Sequence, residues 1–299
     1  MVVSVIIPTF DRPNTLLCVI DSYIDQEYVG ELIIIDDGSS KSYTETIEYI
    51  EERLAGTQII FNYYKNQKNH GAAYCRNLGV ELAKYDYILW GEDDAFLSSN
   101  YLSVLLPKAN DDVIVFGSIY YGITPWMEED QLIQKKKEQQ LSPKSIFDYD
   151  RFEGYYRKLS NNDIEVPFGH ALILVPKKAY SSIKYYENYK VNGYREESDA
   201  QVQMVKNGNK IFYTSDTECY HLPGLAIEKG GQHKKNRLIQ EVFTIINTGL
   251  FYKRHLIFFN KRYNVSKSVS IMTFLYVKRK LNEYNLKLIN KIKRKFRIL

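Results

Sequence analysis

The chain of 299 residues is long enough for one large or two modest domains, and its 44% hydrophobic and 14% aromatic content can fill a sizeable core. Three dispersed cysteines, Cys18, Cys75 and Cys219, form no CxxC pair, which argues against a disulfide scaffold or zinc site and suggests a reducing compartment. The net charge of +4 is uneven: residues 251–299 hold 14 Lys/Arg against the single acid Glu283, while the first 250 hold 26 basic and 35 acidic residues, as expected of a catalytic body joined to a segment that meets something anionic.

The opening MVVSVIIPTF has no basic n-region and no A-x-A-like cleavage site, so it reads as a first strand and not as a signal peptide. No apolar run approaches the roughly 20 residues needed to span a bilayer, and a cytoplasmic protein is expected. VVSVIIP (2–8) and ELIIID (31–36) are apolar, β-branched and bounded by turn signals, as buried parallel strands should be. Between them, residues 14–26 place Leu17, Ile20 and Ile24 at helical spacing with Asn14 as N-cap. A helix over 41–54, a strand over 57–64, a helix through AAYCRNLGVELAK (72–84) and a strand over 85–91 follow. This alternation predicts an open α/β sheet with right-handed crossovers.

Further strands are expected over 112–122, 169–176 and 209–214, and a helix over 195–208 closed by Gly208. Residues 123–165 are irregular and polar, with QKKKEQQ (134–140) as a solvated helix face, and past YHLPG (220–224) the pattern is mostly helical and basic.

In open parallel sheets ligands bind at the carboxyl ends of the strands, near the point where strand order reverses. Polar clusters fall at three such ends: PTFDRP (8–13), DDGSS (36–40) and GEDDA (91–95). The first contains no glycine, which excludes a G-x-G-x-x-G dinucleotide site and the Gly-rich triphosphate loop of a nucleotidyltransferase. Without backbone donors for phosphate, a hard divalent cation such as Mn²⁺ or Mg²⁺ held by carboxylates is the natural substitute, and Glu92 and Asp94, flanking Asp93, would supply them.

VSVIIPTFDRP, ELIIIDDGSS, NHGAAYCRNLGVELAKYDYILWGEDDAF and EESDAQVQMVKNGNKIFYTSDTECYH resemble, in order and spacing, the opening strand, VDDGS segment, ARN-to-DxD block and ED-to-His block of family 2 glycosyltransferases. The resemblance spans roughly residues 3–221. It implies the α/β GT-A fold: an open, mostly parallel twisted sheet flanked by helices, with a Rossmann-like nucleotide-binding half and an acceptor-binding half. Residues 1–225 would be the catalytic domain and 226–299 a helical, basic C-terminal extension.

Position by position, the resemblance implies that Pro8, Thr9, Phe10 and Asp11 line the nucleotide pocket, that Asp36 bonds the base with Asp37 supporting its loop, and that Gly71, Arg76 and Asn77 close the pocket. The family's D-x-D falls on Glu92-Asp93-Asp94, with Glu in place of the first Asp: Asp94 and Glu92 are the metal candidates, Asp93 a supporting neighbour, and His221 a third ligand. The family's general base falls on Glu197, or on Asp199 if REESDAQ is read as E-x-D; a carboxylate suffices because the acceptor proton becomes acidic only as the bond forms. His170 would touch the sugar or acceptor.

The implied activity is inverting, metal-dependent transfer from a nucleoside diphosphate sugar, a UDP-sugar first, to a hydroxyl of a glycan or lipid-linked acceptor. The alternative is a non-catalytic sugar-nucleotide-binding or membrane-surface scaffold of the same fold. From 274 onward Phe274, Val277, Leu281, Tyr284, Leu288, Ile292 and Leu299 recur at helical spacing, with Lys278, Arg279, Lys280, Lys287, Lys291, Lys293, Arg294 and Lys295 mainly between them. Such a helix suits the anionic inner face of a membrane, or packing against the body or a second subunit. No nucleic-acid module accompanies the charge.

Overall fold

The computed structural model describes residues 1–141, 145–231 and 236–296, with 237 and 283–296 described by their backbone alone. The first half comprises β1 (Val3–Thr9), α1 (Pro13–Val19), α2 (Asp21–Ile24), β2 (Val29–Asp36), α3 (Thr44–Leu54), β3 (Ile60–Lys65), α4 (Ala72–Leu82) and β4 (Tyr87–Trp90). The β-branched and aliphatic side chains of β1, β2 and β4 are buried on both faces, which is why these strands pair in parallel under covering helices, while β3 at the sheet edge buries no residue. The order β3-β2-β1-β4 reverses at β1, and Val5 pairs with Leu32 on one side and Leu89 on the other. The carboxyl ends of β1 and β4 therefore border the switch-point crevice.

The single helix expected over 14–26 divides into α1 and α2, and Asn14 is not its cap. Pro13 takes the first turn and the side chain of Arg12, at the N-cap, makes no capping bond to the helix. The cap comes from far away: Glu228 Oε2 accepts the Thr15 N–H at 3.0 Å, and Thr15 Oγ1 accepts the Glu228 N–H at 2.9 Å. At the exit of β4, Gly91 lets the chain pass where a Cβ would lie 2.7 Å from Ile7 Cγ1 and 2.9 Å from Tyr23 Cε1.

The second half contains β5 (Ala95–Leu97), α5 (Tyr101–Leu105), β6 (Val113–Tyr121), α6 (Glu129–Gln140), β7 (Phe147–Asp148), β8 (Glu153–Gly154), β9 (Ile164–Glu165), β10 (Leu174–Pro176), α7 (Glu196–Lys206) and β11 (Lys210–His221). The sheet continues β4-β10-β6-β11-β5, with β10 antiparallel to both neighbours, so of the mostly parallel sheet expected, parallel pairing is found within β1–β4 and in the β6–β11 pair. The strand expected over 169–176 keeps only its last three residues. Side chains occupy the earlier backbone groups: Gln201 bonds the Gly169 N–H and the His170 carbonyl, and the Tyr101 hydroxyl bonds the Leu172 carbonyl.

The strand expected over 209–214 instead runs on to His221. An irregularity between Tyr213 and Glu218 lets β11 pair with β9 before it and β5 after it while following β6 throughout. Helix α6 buries no residue, as its polar sequence requires.

The chain closes with α8 (Arg237–Tyr263) and α9 (Val269–Phe296). Phe251, Tyr252, His255 and Phe259 of α8 and Met272 and Tyr276 of α9 are buried, with Phe259 against Phe152 at 4.1 Å between centroids. Phe274 and Leu281 of the predicted stripe are exposed instead. The side chains of Tyr284, Leu288, Ile292, Lys287, Lys291, Lys293, Arg294 and Lys295, and Leu299 altogether, lie outside the described residues. No helix of the described residues is long and apolar enough to cross a membrane.

Candidate active site

A cavity of about 440 Å³ opens at the switch point. Pro8, Thr9 and Phe10 line it from β1, Gly91 to Asp94 from β4, Asp37 and Gly71 from the neighbouring loops, Arg76 from α4, Glu196 and Glu197 from α7, and His221 from β11.

The acidic turn is built from beneath. The Tyr23 hydroxyl accepts the Glu92 N–H at 3.1 Å and donates to the Ala95 carbonyl at 2.9 Å. Thr9 Oγ1 donates to Asp93 at 2.8 Å, and Arg12 Nη1 bridges Asp93 at 2.8 Å and Asp94 at 3.0 Å. Burial pushes Asp93 up to about 6, with Asp94 adding to the rise and Arg12 opposing it. Three adjacent carboxylates are tolerable there because a buried guanidinium offsets part of their repulsion.

Glu92 and Asp94 turn toward His221. Glu92 Oε2 lies 2.9 Å from His221 Nε2 and Asp94 Oδ1 lies 3.5 Å from Nδ1. Burial alone would lower His221, but the charge and hydrogen bond of Glu92, with Asp94 and Asp93, raise it to about 9; against its own burial, Glu92 is drawn down to about 2 by His221 and then Arg76. One ligand atom from each of Glu92, Asp94 and His221 falls within 4.8 Å of the others. Two carboxylate oxygens and an imidazole nitrogen suit Mn²⁺ or Mg²⁺, with room for phosphate oxygens and water to complete the shell.

Across the cavity, Arg76 is buried under the rings of Trp90 and Tyr185, 5.0 and 5.7 Å away, and bonds Glu197 at 3.0 Å and Glu196 at 3.4 Å. Burial and the charge of Glu197 push Glu196 up to about 8 against the pull of Arg76. Glu197 is also raised by burial, with Arg76 opposing, and its exposed part faces the cavity. A carboxylate moved toward neutrality suits proton abstraction.

Five sequence candidates, Asp11, Asp36, Asn77, Asp199 and His170, do not line the cavity among the described residues. Asp11 turns its Oδ1 to the Ser40 N–H at 2.7 Å and the Lys41 N–H at 3.2 Å, ordering the DDGSS loop. Asp36 is fully buried and accepts from the Ser39 N–H at 2.8 Å and the Tyr63 hydroxyl at 2.6 Å. Asn77 ties the Tyr185 backbone and Glu187 to α4. Asp199 is fully buried on the far side of α7, held by Arg254 at 2.6 Å, Tyr189 at 2.9 Å, His255 and Gln203.

Asp37 accepts the His70 and Gly71 N–H groups at 2.9 and 2.7 Å and so fixes the turn into α4. His170 is a correction: it bonds the Gly117 carbonyl at 2.9 Å, packs on Phe116, and is lowered by burial to about 4, away from the cavity. Sequence reasoning passed over Arg12, although it stands beside the quoted Asp11, and the wall from Tyr189 to Tyr194, for which no local pattern speaks.

The profile of glycosyl transferase family 2 matches residues 4–165, more than half of the chain. The chain belongs to that family. Its structure has the GT-A fold.

Among similar proteins is the GalNAc(5)-diNAcBac-PP-undecaprenol beta-1,3-glucosyltransferase of Campylobacter jejuni, 33% identical over 121 residues, which is 38% of this chain and 37% of that one. Matches span between 12% and 55% of the length of the curated relatives. Solved structures with the same fold include S. aureus TarS 1-349 in complex with UDP-GlcNAc, at TM-score 0.57 and 14% identity over 84% of this chain and 65% of that one. GalNAc-T7 with UDP, GalNAc and Mn²⁺ superposes at TM-score 0.57 and 16% identity over 75% of this chain and 44% of that one.

Proposed function

We propose that this protein is an inverting, metal-dependent glycosyltransferase that moves a sugar from a UDP-sugar to a hydroxyl of a glycan or lipid-linked acceptor, in the assembly of a surface polysaccharide or glycolipid. Residues 1–225 act as the catalytic unit and 226–299 as its helical extension. The observation that carries this reading is the convergence of the Glu92, Asp94 and His221 ligand atoms with Glu197 in one cavity.

Glu92, Asp94 and His221 would hold Mn²⁺ or Mg²⁺, which when bound supplies positive charge beside the leaving diphosphate. Asp94 keeps one oxygen on Arg12 and offers the other. Glu197 takes the acceptor's proton as its oxygen bonds the anomeric carbon; the bond from that carbon to the diphosphate oxygen breaks, and the electron pair leaves with UDP. A single displacement of this kind inverts the anomeric centre. Asp93 and Arg12 hold the acidic turn; Pro8, Thr9 and Phe10 border the nucleotide, Asp36 with Asp37 and Asp11 shapes the base pocket, and Asn77 buttresses Arg76.

The UDP assignment draws on the neighbours crystallised with UDP-GlcNAc and with UDP and Mn²⁺. The Campylobacter relative, named for an undecaprenol-linked acceptor, supports a lipid-linked acceptor. Isothermal titration with UDP, with and without Mn²⁺, tests the reading, and a folded sample showing no metal-dependent binding overturns it. A panel of UDP-sugars assayed for released UDP then identifies the donor.

A further inference from the structure

We propose that the outward face of the α8–α9 hairpin is a docking surface for an anionic lipid bilayer. The two helices run antiparallel: a Cβ at Gly249 would lie 3.7 Å from the Thr273 side chain, and Glu241 meets Lys280 at 3.9 Å. Their basic residues divide into two sets. Some are paired with acids: Arg254 with Asp199, the exposed Arg262 with Glu165, Lys267 of the connecting turn with Asp150, Arg279 with Glu153, and Lys280 with Glu241. Lys253, Lys261 and Lys278 are exposed and pair with no acid among the described residues.

Large apolar side chains share that outward face. On α8, Val242, Ile246, Lys253, Ile257 and Lys261 recur at helical steps, and on α9 Ile271, Phe274, Lys278 and Leu281 do the same. Ile257 is 85% exposed, Phe274 66% and Leu281 59%. Exposed aliphatic and aromatic side chains interleaved with unpaired lysines are what an interfacial helix presents, its apolar groups entering the acyl boundary and its ammonium groups meeting lipid phosphates.

Charge chooses the occupant. A second copy seated on the same face would set lysines against lysines in a hairpin, residues 237–296, with 14 basic residues and two acids, Glu241 and Glu283. Nucleic acid would answer the lysines and leave Ile257, Phe274 and Leu281 in water. An anionic bilayer satisfies both, and because no described helix can cross a membrane, the contact is interfacial.

The proposal deepens the functional reading by naming where the acceptor is met, yet binding itself does not depend on catalysis. The full chain is sedimented with vesicles of phosphatidylcholine, with and without phosphatidylglycerol, at low and raised salt. Binding is expected only with phosphatidylglycerol, weakened by salt, and reduced more than about tenfold both by Lys253→Glu with Lys261→Glu and Lys278→Glu and by Ile257→Ser with Phe274→Ser. UDP binding by the same variants reports that the body is folded. Vesicle binding without UDP binding would sink the catalytic reading alone. Equal sedimentation with neutral and anionic vesicles, indifference to both variant sets, or a dimer by light scattering that Phe274→Ser converts to monomer would each overturn the docking proposal.

Discussion

Replacing Asp199 with Asn separates the two candidates for the catalytic base. Asp199 is fully buried, with Arg254, His255, Tyr189 and Gln203 around its two oxygens. Against its burial, the bonds from His255 and Arg254 and their charge hold its carboxyl at about 2. Burial lowers His255 itself, while its bond to Asp199 and the charge of Asp199 oppose that fall. Holding a carboxyl at about 2 and not the usual 3.8 corresponds to about 2.5 kcal/mol, at roughly 1.4 kcal/mol per pH unit. Stranding the partner of a buried pair costs about 3–5 kcal/mol. Arg254 lies over the Tyr186 ring at 3.9 Å and is partly exposed, which favours the lower end.

Urea denaturation of Asp199→Asn should therefore show a loss of about 3 kcal/mol at neutral pH. Because the folded carboxyl is depressed, this contribution is present above the ordinary carboxylate range and disappears as pH falls from about 4 toward 2. The difference between wild type and variant should close over that window. Turnover per folded molecule, read from released UDP, should stay unchanged. Unchanged stability with abolished turnover would refute the reasoning and return the base to Asp199.

Glu197→Gln should lower kcat by about 10²–10⁴-fold while leaving UDP affinity intact, and unchanged turnover would remove Glu197 from the chemistry. Asp94→Asn should abolish the Mn²⁺-dependent gain in UDP affinity measured by titration calorimetry, while Arg12 keeps its bond to Asp93 and the fold survives. Gly38 has φ +75° and its missing Cβ would sit 2.5 Å from the Lys68 carbonyl carbon. Gly38→Ala should accordingly cost about 1–3 kcal/mol in urea unfolding and weaken UDP binding through the displaced loop.

The sequence by itself determined the elements whose signals are local. The β-branched runs of β1, β2 and β4, with polar residues directly after them, encode buried strands and the positions of their ends, and the acidic turn at 92–94 is read from three consecutive letters. These signals, taken with the family resemblance, were enough for the GT-A fold and for the cavity's acidic wall. The tertiary structure decided whatever depends on residues far apart in the chain. Asp199 is held away from the cavity by Arg254 and His255, neighbours in sequence that lie 55 and 56 residues further along the chain and are brought beside it by α8. His221 reaches Glu92 because β11 runs past an irregularity that no periodicity announces, and α1 is capped by Glu228 from across the molecule. Strand and turn signals arise within a few residues of backbone geometry. Ion-pair partners are chosen by burial, which only the packed chain defines.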